Sequence, residues 1–430
     1  MKRRDFCKLV TAAGTLPFAG TTLAAEESPE VGKPFPAWKE GEMELHFIYT
    51  GVGENAFYIF PDGTSLLMDT GDRDWEHDKK RLGFIDILPD ASRRPGEWVA
   101  RYVERVNPSG KNVDYLVLSH FHADHCGYVL GQAPMTQGRG ENYCLTGLAE
   151  VGEFLHFDTA MDRCSPDYEN VTPEWTRTSP EFQFYTPFIR YKQKTDGLKL
   201  EKFEVGKQDQ IQLRKNAAKF PDFHVRNLCS NGSYWTGNEG EVIDVLAMHP
   251  KNAHRGLENP LSLAAVFSYG PFRFYTGGDL TGHLLNEAGQ NYDYEGCVGR
   301  VAGPVDVCKG NHHSYRDAMV PSFVREIQST VYVLCVWDVH HIQDNTMTNM
   351  TSRELYPGDR LICPTFVPKV QRELYQDKAW WSDVVTCGGH VVVKVLDGGK
   401  QYKVYYLSAN DENHTVKAVF GPFQSKGEIA

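Results

Sequence analysis

The sequence predicts an α/β fold, with apolar strands, covering helices and a chemically loaded edge where strands end. The first observation behind it is the stretch VDYLVLSHFHADHCG, residues 113–127. Five of its first six residues are apolar, with Asp114 the exception, which matches a buried strand in length and composition. The second is residues 95–106 just upstream, which read as a helix covering the sheet. The third is GVGENAFYIFPDGTSLLMDTGD, in which two apolar runs flank a Pro-Asp-Gly turn and the second ends at Asp69.

The amino end carries no fold signal of its own. Residues 1–25 read as an export signal: Lys2, Arg3, Arg4 and Lys8 precede a short apolar run and small residues that suit cleavage. RRDFCK is similar to the twin-arginine consensus, which predicts an exported protein, periplasmic or extracellular. Residues 26–41, rich in Pro, Glu and Gly, read as a linker, and residues 43–50 as the first strand. From residue 42 to 430 one elaborated domain is expected, since 41% hydrophobic residues suffice for a large core.

At the end of the strand at 113–118 stand His120, His122, Asp124 and His125, within six residues. Side chains alternate along a strand with period two, so His120 and His122 can point the same way. Two imidazoles for one ion, with a carboxylate and an imidazole for its neighbour, are what a pair of close metal ions needs.

This HxHxDH pattern resembles the metallo-β-lactamase superfamily, most closely the hydrolase domains of competence-protein (ComEC-like) type. In that group an HFIDVGQGDA-like stretch precedes a PDG hairpin and a DTG, to which residues 46–71 are similar. The resemblance implies a four-layer αβ/βα sandwich with the metals at one edge of two packed sheets. It implies that Asp69 braces the metal loop without binding metal. VIDVLAMHP reads as a strand ending in His249, which would complete the first metal's shell beside His120 and His122, with His254 close by. Asp279, in YTGGDL after a hairpin over residues 261–275, would bridge both metals. ENPLS resembles that group's N-x-x-S, which makes Asn259 a candidate for polarising substrate.

A strand at 305–309 leads to GNHHSY, where the related group has KVxHHGS. His312 is expected to close the second metal's shell with Asp124 and His125, and His313 to face substrate or brace its neighbour. A helix at 317–328 and a strand at 331–336 lead to WDVHHIQD, whose His340 and His341 are candidates for substrate contact or proton donation. Strands at 390–395, 401–407 and 416–420 extend the sheet. Residues 130–240, rich in aromatic and charged residues, carry no family signature and read as a large insertion, an ordinary packed extension more than a cap.

The implied chemistry is hydrolysis by a hydroxide that two divalent cations activate, with Asp124 orienting it. Zinc is the first expectation for imidazole and carboxylate ligands, with manganese or iron also compatible. A phosphoester is the favoured substrate class; a lactone or β-lactam amide is the alternative, and a non-catalytic metal-binding protein the third reading. A formal charge of −11 counts against long nucleic acid and favours a small or lipid-linked substrate. No run approaches the ~18 apolar residues of a membrane span. The ten cysteines contain no CxxC pair, so a cysteine zinc knuckle is not supported, and pairing is not legible.

Overall fold

Period-two alternation builds two sheets that face each other. The computed structural model describes residues 28–73, 86–127, 133–137, 139, 141–245, 258–285 and 291–427. The expected export signal at 1–25 and His249, with its neighbour His254, lie outside them.

The first sheet has nine strands. They are β1 (Met43–Phe47), β2 (Asn55–Ile59), β3 (Ser65–Thr70), β4 (Asn112–Val117), β5 (His156–Asp162), β6 (Lys199–Lys202), β17 (His390–Leu396), β18 (Gln401–Leu407) and β19 (Val416–Gln424). Their spatial order is β19-β18-β17-β1-β2-β3-β4-β5-β6. The second sheet has eight: β7 (Phe223–Ser230), β8 (Ser233–Trp235), β9 (Val242–Asp244), β10 (Ala264–Tyr269), β11 (Phe272–Thr276), β14 (Val307–Lys309), β15 (Val331–Leu334) and β16 (Leu361–Pro364). They run β16-β15-β14-β11-β10-β7-β8-β9, and a small hairpin, β12 (His283–Leu285) with β13 (Asn291–Asp293), stands apart.

In β2 the alternation sorts the core. Ala56 and Tyr58 face the second sheet, while Phe57 and Ile59 face a helical layer, so the whole strand is buried. Between the sheets Tyr58 meets Phe267 and Phe274 edge-on at 5.6 and 5.3 Å. Burying each such ring contributes roughly 1.5–3 kcal/mol. Outside the first sheet lies α1 (Pro95–Val106), with Pro95 at its start and Val99 and Val103 turned inward. Outside the second lie α5 (Tyr294–Ala302) and α6 (Pro321–Ile327), which bury Val298, Phe323 and Val324. Helix, sheet, sheet, helix: this is the layering of a metallo-β-lactamase fold.

Several expectations meet a more integrated structure. Residues 28–41, read as a linker, dock on the first sheet, where Pro34 bridges to Thr415 and the Phe35 N–H donates to the His414 carbonyl at 3.1 Å. The stretch read as an insertion supplies β5 and β6 to the first sheet and β7 and β8 to the second. Its helix α4 (Pro180–Asp196) buries Phe182, Tyr185 and Phe188 in the core shared with α1. The helix expected from residue 317 begins only at Pro321, since Glu295 accepts from the N–H groups of Met319 and Val320 and holds the approach as a turn. Cys308, Cys335 and Cys363 are core residues, as expected. Among the described residues no helix is long and apolar enough to cross a membrane.

Candidate metal centre

Strands β3 and β4 run parallel, as do β11, β14 and β15, and the site gathers at their carboxyl ends. Five segments converge there. Asp69 ends β3, residues 119–126 follow β4, and Gly278-Asp279 follows β11. A turn at Asn311–Ser314 follows β14, and residues 335–341 follow β15. The close approach needs glycine. A Cβ on Gly278 (φ 51°) would lie 2.6 Å from that of Ser119, and one on Gly71 would lie 1.9 Å from the Asp124 carbonyl oxygen.

Asp69, fully buried at φ 59°, organises the histidines. Its Oδ1 accepts from the Ser119 N–H at 2.7 Å, and its Oδ2 from the Ser119 hydroxyl at 2.6 Å and from His125 Nδ1 at 2.8 Å. With its proton directed to Asp69, the Ser119 oxygen accepts from His120 Nδ1 at 3.0 Å. His313 Nδ1 donates to the Cys335 carbonyl at 2.8 Å. Each of these three imidazoles thus engages its Nδ1 and turns Nε2 toward the cluster; burial keeps His120 neutral, and Nε2 of His125 and His313 would offer a lone pair once a cation displaces the proton.

Those Nε2 atoms meet. His125 Nε2 and His313 Nε2 are 3.3 Å apart, and His313 Nε2 lies 3.3 Å from Asp124 Oδ2 and 3.4 Å from Asp279 Oδ2. His120 Nε2 faces His122 Nδ1 at 3.1 Å and Asp279 Oδ2 at 3.9 Å. Two sets of ligand atoms result, each within 4.8 Å of one another: His120, His122 and Asp279, and Glu54, His125, Asp279 and His313. Imidazole nitrogens and carboxylates crowded in a buried site need positive charge among them, from protons or from a cation, and the donor set fits divalent cations, with Asp279 common to both groups.

The electrostatics agree. Burial disfavours charge on His313, but Asp279 and Asp124 outweigh it and push the imidazole up to about 9. His125 is likewise raised against its burial by Asp279 and Asp69. Burial opposes ionisation of Asp124, yet His313, His125 and Arg73 hold it well below the usual carboxylate range.

The adjacent histidines divide their tasks in an unexpected way. His312, expected as a ligand, sends Nδ1 to Asp317 at 2.6 Å and meets the Asn259 amide at 3.0 Å with Nε2, which stands 3.8 Å from Asp279. His313, expected toward substrate, is the one inside the cluster. Three consecutive left-handed residues, His312, His313 and Ser314 (φ 46°, 50° and 65°), make this turn, and glycine-free sequence gives no hint of it. His341 stacks on His313 at 4.4 Å, with Nδ1 turned to the N–H groups of Trp337 and Asp338. Burial and the His313 charge keep it neutral, with its proton on Nε2. His340 is exposed, and its contacts here run through its backbone.

Five supporting residues are absent from the expected set. Buried Glu54 pairs with buried Lys309 at 2.8 Å and lies 3.4 Å from His313 Nδ1. The signal was local, since Glu54 directly precedes β2 and Lys309 closes β14 just ahead of the histidine pair. Glu258 accepts from the Phe121 N–H at 2.8 Å and is clasped by Arg163, 95 residues upstream. Ser262, the serine of ENPLS, accepts from the Asp279 N–H at 3.1 Å.

Residues 49–131 match the family model of the metallo-beta-lactamase superfamily. The matched segment holds Asp69 and the HxHxDH loop; the turns that carry Asp279 and His313 lie beyond it. None of the curated proteins matches the chain. The superfamily match and the buried histidine–carboxylate cluster together support a metal-dependent hydrolase.

Proposed function

We propose that this protein is a ComEC-like two-metal hydrolase of phosphoesters, exported through the signal at residues 1–25. The observation that carries the hydrolase reading is the 3.3 Å approach of two Nε2 atoms, His125 and His313, between the carboxylates of Asp124 and Asp279. In this reading His120, His122 and Asp279 hold the first cation, with His249 completing its shell. Asp124, His125 and His313 would hold the second, and Asp279 is common to both groups. His313 takes the role expected of His312. Zinc suits these ligands best, and manganese or iron would accept them.

Two such cations would supply a water acidified to near neutrality and positive charge against a phosphoryl oxygen. The chain's own groups do the rest. Asp124, held ionised, accepts a hydrogen bond from the attacking water and aims it. His341, neutral, offers its Nε2–H as a hydrogen bond to the leaving oxygen, which takes its proton from water. Asn259 has its Nδ2 committed to His312 and offers Oδ1, buried without a partner, to a donor on the substrate. The acidic chain favours a small or lipid-linked phosphoester.

The test is hydrolysis of bis(p-nitrophenyl) phosphate by protein purified with its native metal, beside an Asp124→Asn variant. Turnover that the substitution abolishes supports the reading. Bound metal with no phosphodiester turnover would move the search to lactones and β-lactams, and protein that retains no metal would return it to a non-catalytic role.

A further inference from the structure

The cluster draws on both sheets. His120, His122, Asp124 and His125 come from the loop after β4, and Asp279 and His313 from the turns after β11 and β14. One buried ion pair crosses between these halves. Glu54 directly precedes β2 in the first sheet, Lys309 closes β14 in the second, and Glu54 Oε2 lies 2.8 Å from Lys309 Nζ. Each end is fastened to a backbone that carries a ligand. The Glu54 N–H donates to the Asp124 carbonyl at 2.8 Å, and the Glu54 carbonyl accepts from the Gly71 N–H at 3.1 Å. Lys309 Nζ donates to the carbonyl of Gly278, the residue before Asp279, and the same oxygen accepts from the His312 N–H at 3.2 Å. The Glu54 carboxylate also lies 3.4 Å from His313 Nδ1.

We infer that Lys309 is a positioning residue that sets the separation of the two halves of the metal centre, acting through Glu54 on the Asp124 loop and through Gly278 on Asp279; this rests on the two-cation reading above. Asp279 is common to both ligand groups, so a shift of its turn against the histidine loop alters both at once. Hydrogen bonds with an ionised partner are stronger than neutral ones, and burial keeps water from replacing them. Burial also works against the Lys309 charge, but Glu54 and Asp279 prevail and hold the ammonium ionised. An ammonium carries three donors that can serve acceptors on separate segments, which a methionine of similar length cannot do. Through space, a positive charge beside a cation site opposes cation binding. A lysine that acts by charge alone and a lysine that positions the ligands therefore predict opposite signs when it is removed.

Two readouts on the full chain test this. One is stepwise zinc affinity, by competition with a chromophoric chelator; the other is the visible absorption of the cobalt-loaded protein, which reports the geometry of the ligand shell. In Lys309→Met, zinc binding should weaken by about 10-fold or more in at least one step, and the cobalt spectrum should change, with far-ultraviolet circular dichroism unaltered. A merely structural role would lower stability and leave the spectrum as it is. The double variant Lys309→Met with Glu54→Gln buries no unpaired charge, so it should regain stability and keep the weakened affinity. It decides alone if the single variant does not fold. Unchanged affinities and spectrum in Lys309→Met overturn the inference, as does tighter binding, since the lysine would then act by charge alone. Wild-type affinity in the double variant overturns it too, because Lys309 would then only offset Glu54. Those three outcomes leave the two-cation reading standing. A wild type that binds fewer than two zinc ions sinks that reading itself, and the inference with it.

Discussion

Arg163 and Glu258 form a buried two-pronged ion pair, Nε to Oε1 at 2.7 Å and Nη2 to Oε2 at 2.6 Å, under the loop that carries His120 and His122. Glu258 Oε1 also accepts from the N–H of Phe121, the residue between those histidines, and the Arg163 guanidinium lies 4.9 Å from the Phe121 ring centre. Strand β5, which ends just before Arg163, is thereby tied to the metal loop. Burial works against the Glu258 charge, but Arg163 more than compensates and holds the carboxyl below its usual range.

Removing one partner leaves the other charged and dry. Arg163→Met should lower stability by about 3–5 kcal/mol in denaturant unfolding. Because the Glu258 carboxyl is depressed on folding, the pair's contribution is full above the ordinary glutamate value of 4.5 and fades as pH falls through the lower folded value. The difference between wild type and variant should therefore narrow in acid. A gap that stays constant down to the acid transition would argue that packing against Phe121, and not charge, is what Arg163 provides.

Asp69 makes a sharper test of the brace. In Asp69→Asn one acceptor oxygen becomes an N–H₂ that faces the donors of Ser119 or His125. His125 would then move its proton to Nε2, where the lone pair is needed. Zinc affinity, read by competition with a chromophoric chelator, should fall roughly 10–100-fold with little change in secondary structure. Undiminished affinity would remove Asp69 from this role.

What sequence could foretell here follows the range of the interaction. HxHxDH, the Pro-Asp-Gly hairpin, helix Pro95–Val106 and Asp279 after β11 rest on local pattern, and the structure has each where the pattern predicts. Arg163 and Glu258 are 95 residues apart, and neither position shows periodicity that would pair them. Within 130–240, β5 pairs parallel with β4 and β6 parallel with β5 through long connections that leave no hairpin signal, whereas Asn231-Gly232 between β7 and β8 was a legible one. The choice between His312 and His313 turns on three left-handed residues without glycine, a conformation that surrounding contacts impose.

That choice is open to a direct count. His313→Gln should bind one equivalent of zinc where the wild type binds two, whereas His312→Gln should retain both, as measured by atomic emission on dialysed protein. The reverse pattern would restore the ligand role expected for His312. His312→Gln should still slow turnover, since it loses the contact with Asn259 and the Asp317 hydrogen bond.

Removing the metals should make stability depend on pH in a particular direction. In the metal-free fold, burial disfavours a charged His313, but Asp279 and Asp124 prevail and raise it from 6.5 to about 9. A group raised on folding binds its proton more tightly in the native state. Its contribution is thus complete below pH 6.5 and is lost as pH rises through about 9, on the order of 3 kcal/mol for this shift. Ligation requires the neutral imidazole, so the zinc-loaded protein has no such proton to lose. Urea unfolding in chelator should therefore show stability declining between about pH 6.5 and 9, and the stabilisation by added zinc should grow across the same interval. Parallel pH profiles with and without zinc would mean that His313 does not exchange a proton for a cation, and would take it out of the ligand set.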